Sequence, residues 1–508
     1  MTISLQVAVA TTSDLAAQAA AAVAAAGGNA VDCAVAAAML AVNTQPGVCA
    51  LAGGGYATVW HPDEEPVTVD GYVALPGLGG SARSADGVAV HLGYGGGVDT
   101  VVGCPSVGVP GTPAMLEETW RRWGRADWEC VVAPSINAAV EGFPLAQACH
   151  YYLKYSGDAI FGRSSDGYRA LHDEHGRLHE AGAFIRVPHL ADTLRILAEG
   201  GAYEIYEGEI ARRIVAHVGE GGGSLSLADL AGYRAIERPA LTLELDGHTV
   251  AVNPPPAVGG AVLGTMLFDF ARRPAKERNQ LTLHRFLAAQ EAALSYRERS
   301  VDSASDIGAA AAEMIKRARA AGLPGRWTSA STVHTSACDS DGLACAITAS
   351  SGYGSGEMPE RTGLWLNNSL GELELNRRGL DAGPPGARLP SNMAPGIARS
   401  GSSVLAFGTP GADRITTALQ QFLINYIQIG MSLDDSIAAP RLHYEARERP
   451  PRVAVEPGIE FGDLDIEEVR FPSPSMYFGG VAATSHDPVQ GLAAAADPRR
   501  EGGILVGR

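Results

Sequence analysis

The residues best suited to chemistry lie in the run Ser331-Thr332-Val333-His334-Thr335-Ser336. Before it comes a charged, Ala-rich stretch, Ala309 to Arg326. After it, Val333 to Thr348 alternates and is broken once, at Asp339-Ser340-Asp341-Gly342. That pattern predicts a β-hairpin with an Asp-Gly turn, with Thr332 at the head of its first strand. A Thr there is an ordinary β-former. It becomes a nucleophile if the peptide bond before it is cut, because its hydroxyl then sits beside a free α-amine that serves as general base. The residues alone leave two function classes: a self-processing acyl-transfer enzyme, or a scaffold in which Thr332 is inert.

Other candidates are weaker. His334 is two residues beyond Thr332 and shares its strand face, but a lone His is more often a packing residue. His150 and His189 sit among helical residues. No His, Asp or Glu cluster has metal-ligand spacing, so neither metal nor cofactor is expected. Gly53-Gly54-Gly55 fits neither dinucleotide nor phosphate-loop spacing, and close backbone packing explains it better. Gly352-Tyr353-Gly354-Ser355-Gly356 does not centre its Ser as a nucleophile elbow would.

The elements that must position Thr332 belong to a chain of 508 residues, 46% hydrophobic and 19% charged, long enough for a large core. A net charge of −17 argues against nucleic acid or an anionic membrane as partner. The seven Cys are odd in number and form no CxxC pair. Free thiols in a cytoplasmic protein are expected, including Cys338 and Cys345 across the Asp-Gly turn. The first Lys or Arg is Arg83, so no signal peptide is expected. The Ala-rich stretch Leu15 to Val42 reads as a buried helix pair, with Asp14 as N-cap, rather than a membrane span.

Further helices are predicted over 113–123, 128–141, 190–199, 205–218, 259–270, 281–299 and 414–429. Strands are predicted over 51–60, 67–73, 241–252 around Asp246-Gly247, 363–368, 404–407, 453–455 and 481–483. Residues 82–97 and 376–390 read as loops. Helices fill the first two-thirds and strands the ends, with no linker between domains, which points to sheets sandwiched by helices.

The chain resembles the γ-glutamyltranspeptidase family of N-terminal-nucleophile hydrolases. The resemblance rests on segments in order along nearly the whole chain: Gly27-Gly28-Asn29-Ala30-Val31-Asp32, Gly53-Gly54-Gly55-Tyr56, Val109-Pro110-Gly111-Thr112, Asp229-Leu230-Ala231-Gly232-Tyr233, Pro254-Pro255-Pro256, Leu366-Asn367-Asn368 and Met476-Tyr477-Phe478-Gly479-Gly480-Val481. It implies a four-layer αββα sandwich. It also implies self-cleavage between Ser331 and Thr332 into chains 1–331 and 332–508, a heterodimer that stays together non-covalently and can pair further. Thr332-Val333-His334 matches the family's Thr-Thr-His-like motif, with Thr332 as nucleophile. Ser350 matches a supporting threonine, and Gly411-Ala412 the Gly-Gly pair of an oxyanion hole.

The substrate residues depart from the family. Tyr72 stands where the family has an Arg that grips a glutamyl carboxylate, and Arg83 is the nearest substitute by sequence. Ser369 and Glu372 replace a Gln and an Asp that hold the amino group. Ser391-Asn392 replaces a Ser-Ser pair, and Gly352 an Asn. The expected substrate is therefore a small amino-acid-derived molecule other than a standard γ-glutamyl amide, of the kind met in antibiotic biosynthesis. The alternatives are a carbon–carbon bond hydrolase like those of the 4-alkylproline antibiotic pathways, an ordinary glutathione hydrolase, and an unprocessed scaffold.

Overall fold

A computed structural model describes residues 6–80, 83–93, 97–302, 304–320, 332–381, 383–446, 448, 450–462 and 464–507. Two antiparallel sheets face each other. The first runs Gly503–Val506, Val7–Thr11, Val333–Asp339, Ala344–Ser350, Gly54–Trp60, Val67–Gly71, Ile236–Pro239. The second runs Gly491–Ala496, Ala482–Asp487, Ser403–Gly408, Gly396–Ser400, His248–Val252, Leu241–Leu245.

Side chains alternate between faces as the period of two requires. Ala8, Cys338, Ala344 and Ala346 meet Ile397, Val404 and Ala406 in a thin layer of mostly small residues between the sheets. Val7, Val9, Ala57 and Val59 point the other way, under the buried helix Ala30–Thr44 and its neighbours. Leu405 and Phe407 point outward under the helices Gly259–Arg272, Gln280–Ser300 and Arg414–Leu423. Helix, sheet, sheet, helix: the chain folds as an αββα sandwich.

Helix Ala30–Thr44 is buried along its whole length, which its small side chains permit. Asn29 and Asp32 close its N-terminus as a capping box. The Ala30 N–H also donates to Asp339 at the far end of the Val333–Asp339 strand, 3.1 Å away. That strand is thus held by a helix behind it and by a strand on each side.

Residues on both sides of position 331 interleave in both sheets. Val7–Thr11 pairs with Val333–Asp339, Gly54–Trp60 with Ala344–Ser350, and His248–Val252 with Gly396–Ser400.

Several local expectations need correction. Ser13, not Asp14, caps the first helix, its hydroxyl accepting from Ala16 N–H. Within 82–97 the chain forms half of a hairpin, Val88–Leu92 with Val98–Val102. Residues 363–368 form no strand; only Leu366 makes a bridge, to Ala52. The helix expected over 205–218 is two, Tyr203–Tyr206 and Glu209–Glu220. All seven cysteines are free. Cys338 and Cys345 pair with Ala344 and Ala337 and so point to opposite faces of the sheet. No described helix is long and apolar enough to cross a membrane.

Candidate active site

Thr332 lies one residue ahead of its strand and is buried. The strand's register runs Val333↔Ala349, His334↔Thr348. One step further sets Thr332 opposite Ser350, the last residue of the partner strand. Ser331, on the other side of the expected cleavage bond, lies outside the described residues.

Both ring nitrogens of His334 are engaged inside the sandwich. Its ring is buried, with Nδ1 2.8 Å from Thr348 Oγ1 and Nε2 2.8 Å from Ser336 Oγ. Burial depresses its pKa to about 3, which keeps the ring neutral. A Cβ at Gly408 would strike the ring, so the two sheets touch here. The chain leaving Gly408 therefore turns off at the same end of the sandwich as Thr332.

That turn is Thr409-Pro410-Gly411-Ala412-Asp413. Gly411 has φ +126° and Ala412 φ +65°. A left-handed alanine costs roughly 1–2 kcal/mol, so the surroundings impose it. Among the described residues, no acceptor takes the N–H of Gly411 or Ala412. Two adjacent backbone donors thus sit side by side in a buried turn, an arrangement that could receive a negatively charged oxygen. The turn is braced by Gly480, whose N–H donates 2.8 Å to Thr409 Oγ1, and by Arg414, whose Nε donates 3.0 Å to the Tyr477 carbonyl.

Asp413 was not foreseen from sequence. Its carboxylate accepts from Asn392 Nδ2 and, at 3.3 Å, from Arg297 Nη1. Arg297 also donates to Asp302 at 2.9 Å. Burial opposes the charge on Arg297, but the two aspartates outweigh it and hold its pKa above the ordinary value. Asn392, expected to meet substrate, is thus tied to this network through its amide nitrogen.

Beyond Ser350 the chain turns at Gly352, whose N–H donates to Ser350 Oγ at 3.2 Å. Gly352 has φ +68°, and a Cβ there would collide with Asn368 Oδ1 and lie 3.0 Å from the Glu372 carboxyl. This explains glycine at a position where the family has a side chain. Asn367 fixes the facing loop, with Nδ2 donating to the Ala52 and Gly108 carbonyls. Glu372 is buried, and its Oε2 has no hydrogen-bond partner among the described residues. Burial first, then the nearby Glu374, push its pKa well above the usual carboxylate range.

Tyr72 is a buried neighbour of Glu372. Burial, and next the charge of Glu372, raise its phenol's pKa, while the Ser391 and Ser369 hydroxyls beside it work the other way. Its ring stacks on Tyr56 at 5.6 Å. Tyr72, Ser369, Glu372 and Ser391 therefore lie together. Three arginines near them are engaged elsewhere. Asp70 takes Arg238 at 2.8 Å and Arg388 at 3.4 Å, and Arg297 is held as above. Arg83 is paired at 2.7 Å with Asp381.

A family model described as Gamma-glutamyltranspeptidase matches residues 16–507. The chain is 28% identical over 457 residues to the glutathione hydrolase proenzyme of Pseudomonas sp. (strain A14), covering 82% of this chain and 78% of the relative. It is 25% identical over 529 residues to that of Escherichia coli (strain K12), covering 95% and 88%. Cephalosporin acylase from Bacillus halodurans superposes with a TM-score of 0.81 at 24% identity, over 99% of this chain and 96% of that one. A protein described as LmbA2991HD superposes with 0.78 at 23%, over 99% of each. The structural likenesses establish a shared fold, and the family match spans nearly the whole chain. The chain is a divergent member of the γ-glutamyltranspeptidase family, an enzyme of the N-terminal-nucleophile hydrolase type.

Proposed function

We propose that the chain cuts itself between Ser331 and Thr332, and that Thr332 then forms a covalent acyl-enzyme with a small, amine-bearing substrate other than a γ-glutamyl amide. The freed α-amine takes the proton from Thr332 Oγ1 as that oxygen attacks the substrate carbonyl. An α-amine of pKa about 7.7–8.0 is suited to this near neutral pH. The Gly411 and Ala412 N–H groups receive the oxyanion. Collapse breaks the bond to the leaving group, which takes the proton back. Water or an acceptor amine then repeats the cycle and frees Thr332.

The observation that carries the substrate reading is Glu372. It is a buried carboxyl group whose Oε2 has no hydrogen-bond partner among the described residues; it faces Gly352, whose N–H donates to Ser350, and Tyr72 lies beside it with the Ser369 and Ser391 hydroxyls. A substrate ammonium would satisfy it. A substrate carboxylate would find Tyr72 where a cation is needed, and burying that charge unpaired is costly. Such departures suit a specialised biosynthetic substrate better than glutathione. The interleaved strands favour a heterodimer that survives cleavage of the 331–332 bond.

The test is turnover of γ-glutamyl-p-nitroanilide beside a panel of N-acyl amino acid amides and amine-bearing acyl anilides. Slow turnover of the glutamyl compound, with Thr332-dependent release from an amine-bearing one, is expected. Rapid γ-glutamyl turnover would make this an ordinary transpeptidase.

A further inference from the structure

We infer that Cys104, His217 and Glu357 form a zinc-class metal site, remote in sequence from the nucleophile. The bridging role assigned to it below rests on cleavage at Thr332; the site itself does not. The cysteine sulfur, an imidazole nitrogen and a carboxylate oxygen all lie within 4.8 Å of one another. Spacing along the chain hides them, since Cys104 and His217 are 113 residues apart and His217 and Glu357 140.

The local fold presents each donor separately. Cys104 opens a short 3-10 turn after Gly103, whose φ is +91°. His217 lies in the last turn of helix Glu209–Glu220. Glu357 comes from the loop beyond the Ala344–Ser350 strand. A Cβ on Gly221 would collide with Cys104 Sγ, so glycine there makes room for the sulfur.

The distances suit a tetrahedral ion. His217 Nε2 and Glu357 Oε2 are 3.0 Å apart. Metal–ligand bonds of about 2.0–2.2 Å require an N···O edge of roughly 3.4 Å, a small adjustment. Arg163 Nε donates to the other carboxylate oxygen, Oε1, at 3.2 Å. That contact orients Glu357 with Oε2 towards His217, as an outer hydrogen bond orients a ligating carboxylate. Mixed S, N and O donors suit Zn2+ and Co2+, not Mg2+ or Ca2+. A cavity of about 380 Å³ opens onto the three side chains and is also lined by Glu220. A water or Glu220 completes the fourth position. On binding, the Cys104 thiol releases its proton to solvent as the metal–sulfur bond forms, and His217 carries its proton on Nδ1.

Cys104 and His217 precede position 331 and Glu357 follows it, so the ion bridges the two cleavage products. The same region is tied to the loop that carries Asn367 and Asn368. Gly103 N–H donates to the Ser355 carbonyl at 2.9 Å, and Asn368 Nδ2 donates to Thr100 Oγ1 at 2.9 Å.

The experiment uses the purified full-length gene product, stripped with chelator and titrated with Zn2+ by calorimetry and with Co2+ by absorption. One equivalent and a sulfur-to-cobalt charge-transfer band are expected. Cys104→Ser should lose the band, and Cys104→Ser and His217→Asn should each weaken Zn2+ binding at least about tenfold. No stoichiometric uptake by the wild type, an adventitious ion only, overturns the site. So does unchanged affinity in folded Cys104→Ser. If neither variant folds, absence of the band in the wild type decides against it. Thr332→Ala separates the two readings: it should bind Zn2+ as the wild type does. In the cleaved wild type, Zn2+ should raise the temperature at which the two chains separate. Zn2+ binding without cleavage leaves the site and removes only the bridge.

Discussion

The guanidinium of Arg297 lies 3.3 Å from the carboxylate of Asp413, both groups fully buried, and Asp413 directly follows Ala412 in the candidate oxyanion turn. A residue from the long helix Gln280–Ser300 thereby fixes the turn whose N–H groups would meet the developing charge. Arg297 is a positioning residue in this arrangement.

Arg297→Met would leave Asp302 and Asp413 buried without their cation. Breaking such a pair from one side costs about 3–5 kcal/mol. The expected outcome is a fall in denaturation midpoint, with a loss of kcat in the protein that still folds. Asp413→Asn, which keeps a polar partner for Asn392 and Arg297, should be milder. Equal stability of Arg297→Met and wild type in urea titrations would contradict the role.

Glu372 gives a pH signature. Its folded pKa is raised, so the folded state binds a proton that the unfolded state has released. Stability from this group is present at low pH. It declines as pH rises from the ordinary glutamate value of about 4.3 towards the raised folded value. Glu372→Gln should remove that decline, so its thermal midpoint falls less than that of wild type between about pH 5 and 8. An amine-bearing substrate should stabilise the wild type and not the variant. Parallel midpoint-versus-pH curves for the two proteins would contradict it.

His334 behaves in the opposite sense. Its folded pKa is about 3, below the ordinary 6.5, so folding favours the neutral ring. Its contribution is present above about pH 6.5 and is lost as pH falls towards the folded value. His334→Gln should flatten acid unfolding in that range. It should leave the neutral limb of the pH–rate profile in place, because on the proposed mechanism that limb reports the Thr332 amine. A shift of the neutral limb in His334→Gln would give the ring a part in proton transfer.

Ala412 adopts φ +65°, so Ala412→Gly relieves strain and keeps the backbone donor. Its kcat/KM should stay within about threefold of wild type. Ala412→Val puts a β-branched side chain in the left-handed region and should displace the donor. Loss of an oxyanion donor costs about 10²–10³ in kcat. Near-normal kcat in Ala412→Val would show that this N–H is not used.

The sequence was most legible where local chemistry and tertiary structure agree. The hairpin around Asp339–Gly342 and the strand pair around Asp246-Gly247 appear with their expected turns. The expected helix 281–299 appears as Gln280–Ser300. It failed where burial does not mark an element. Val88–Leu92 forms a strand, but most of its residues are at least partly exposed and glycines surround it, so its sequence reads as loop. Residues 363–368 carry strand-like side chains, yet their backbone N–H groups go to scattered acceptors instead of one ladder: Leu364 to Thr362 Oγ1, Leu366 to the Glu357 carbonyl and Asn368 to the Ser351 carbonyl. Tyr72, Ser369, Glu372 and Ser391, which lie together in the structure, are legible in the sequence only through the family motifs. Arg297 and Asp413 are not, because a buried ion pair 116 residues apart leaves no local pattern.

The central claim is that Thr332 becomes an N-terminus and then a nucleophile. Intact-mass analysis with N-terminal sequencing of the purified protein tests it most directly. Two chains, the smaller beginning at Thr332, are expected for the wild type, and one uncut chain for Thr332→Ala. A wild-type protein that remains a single chain, or a new N-terminus at any other residue, would contradict it.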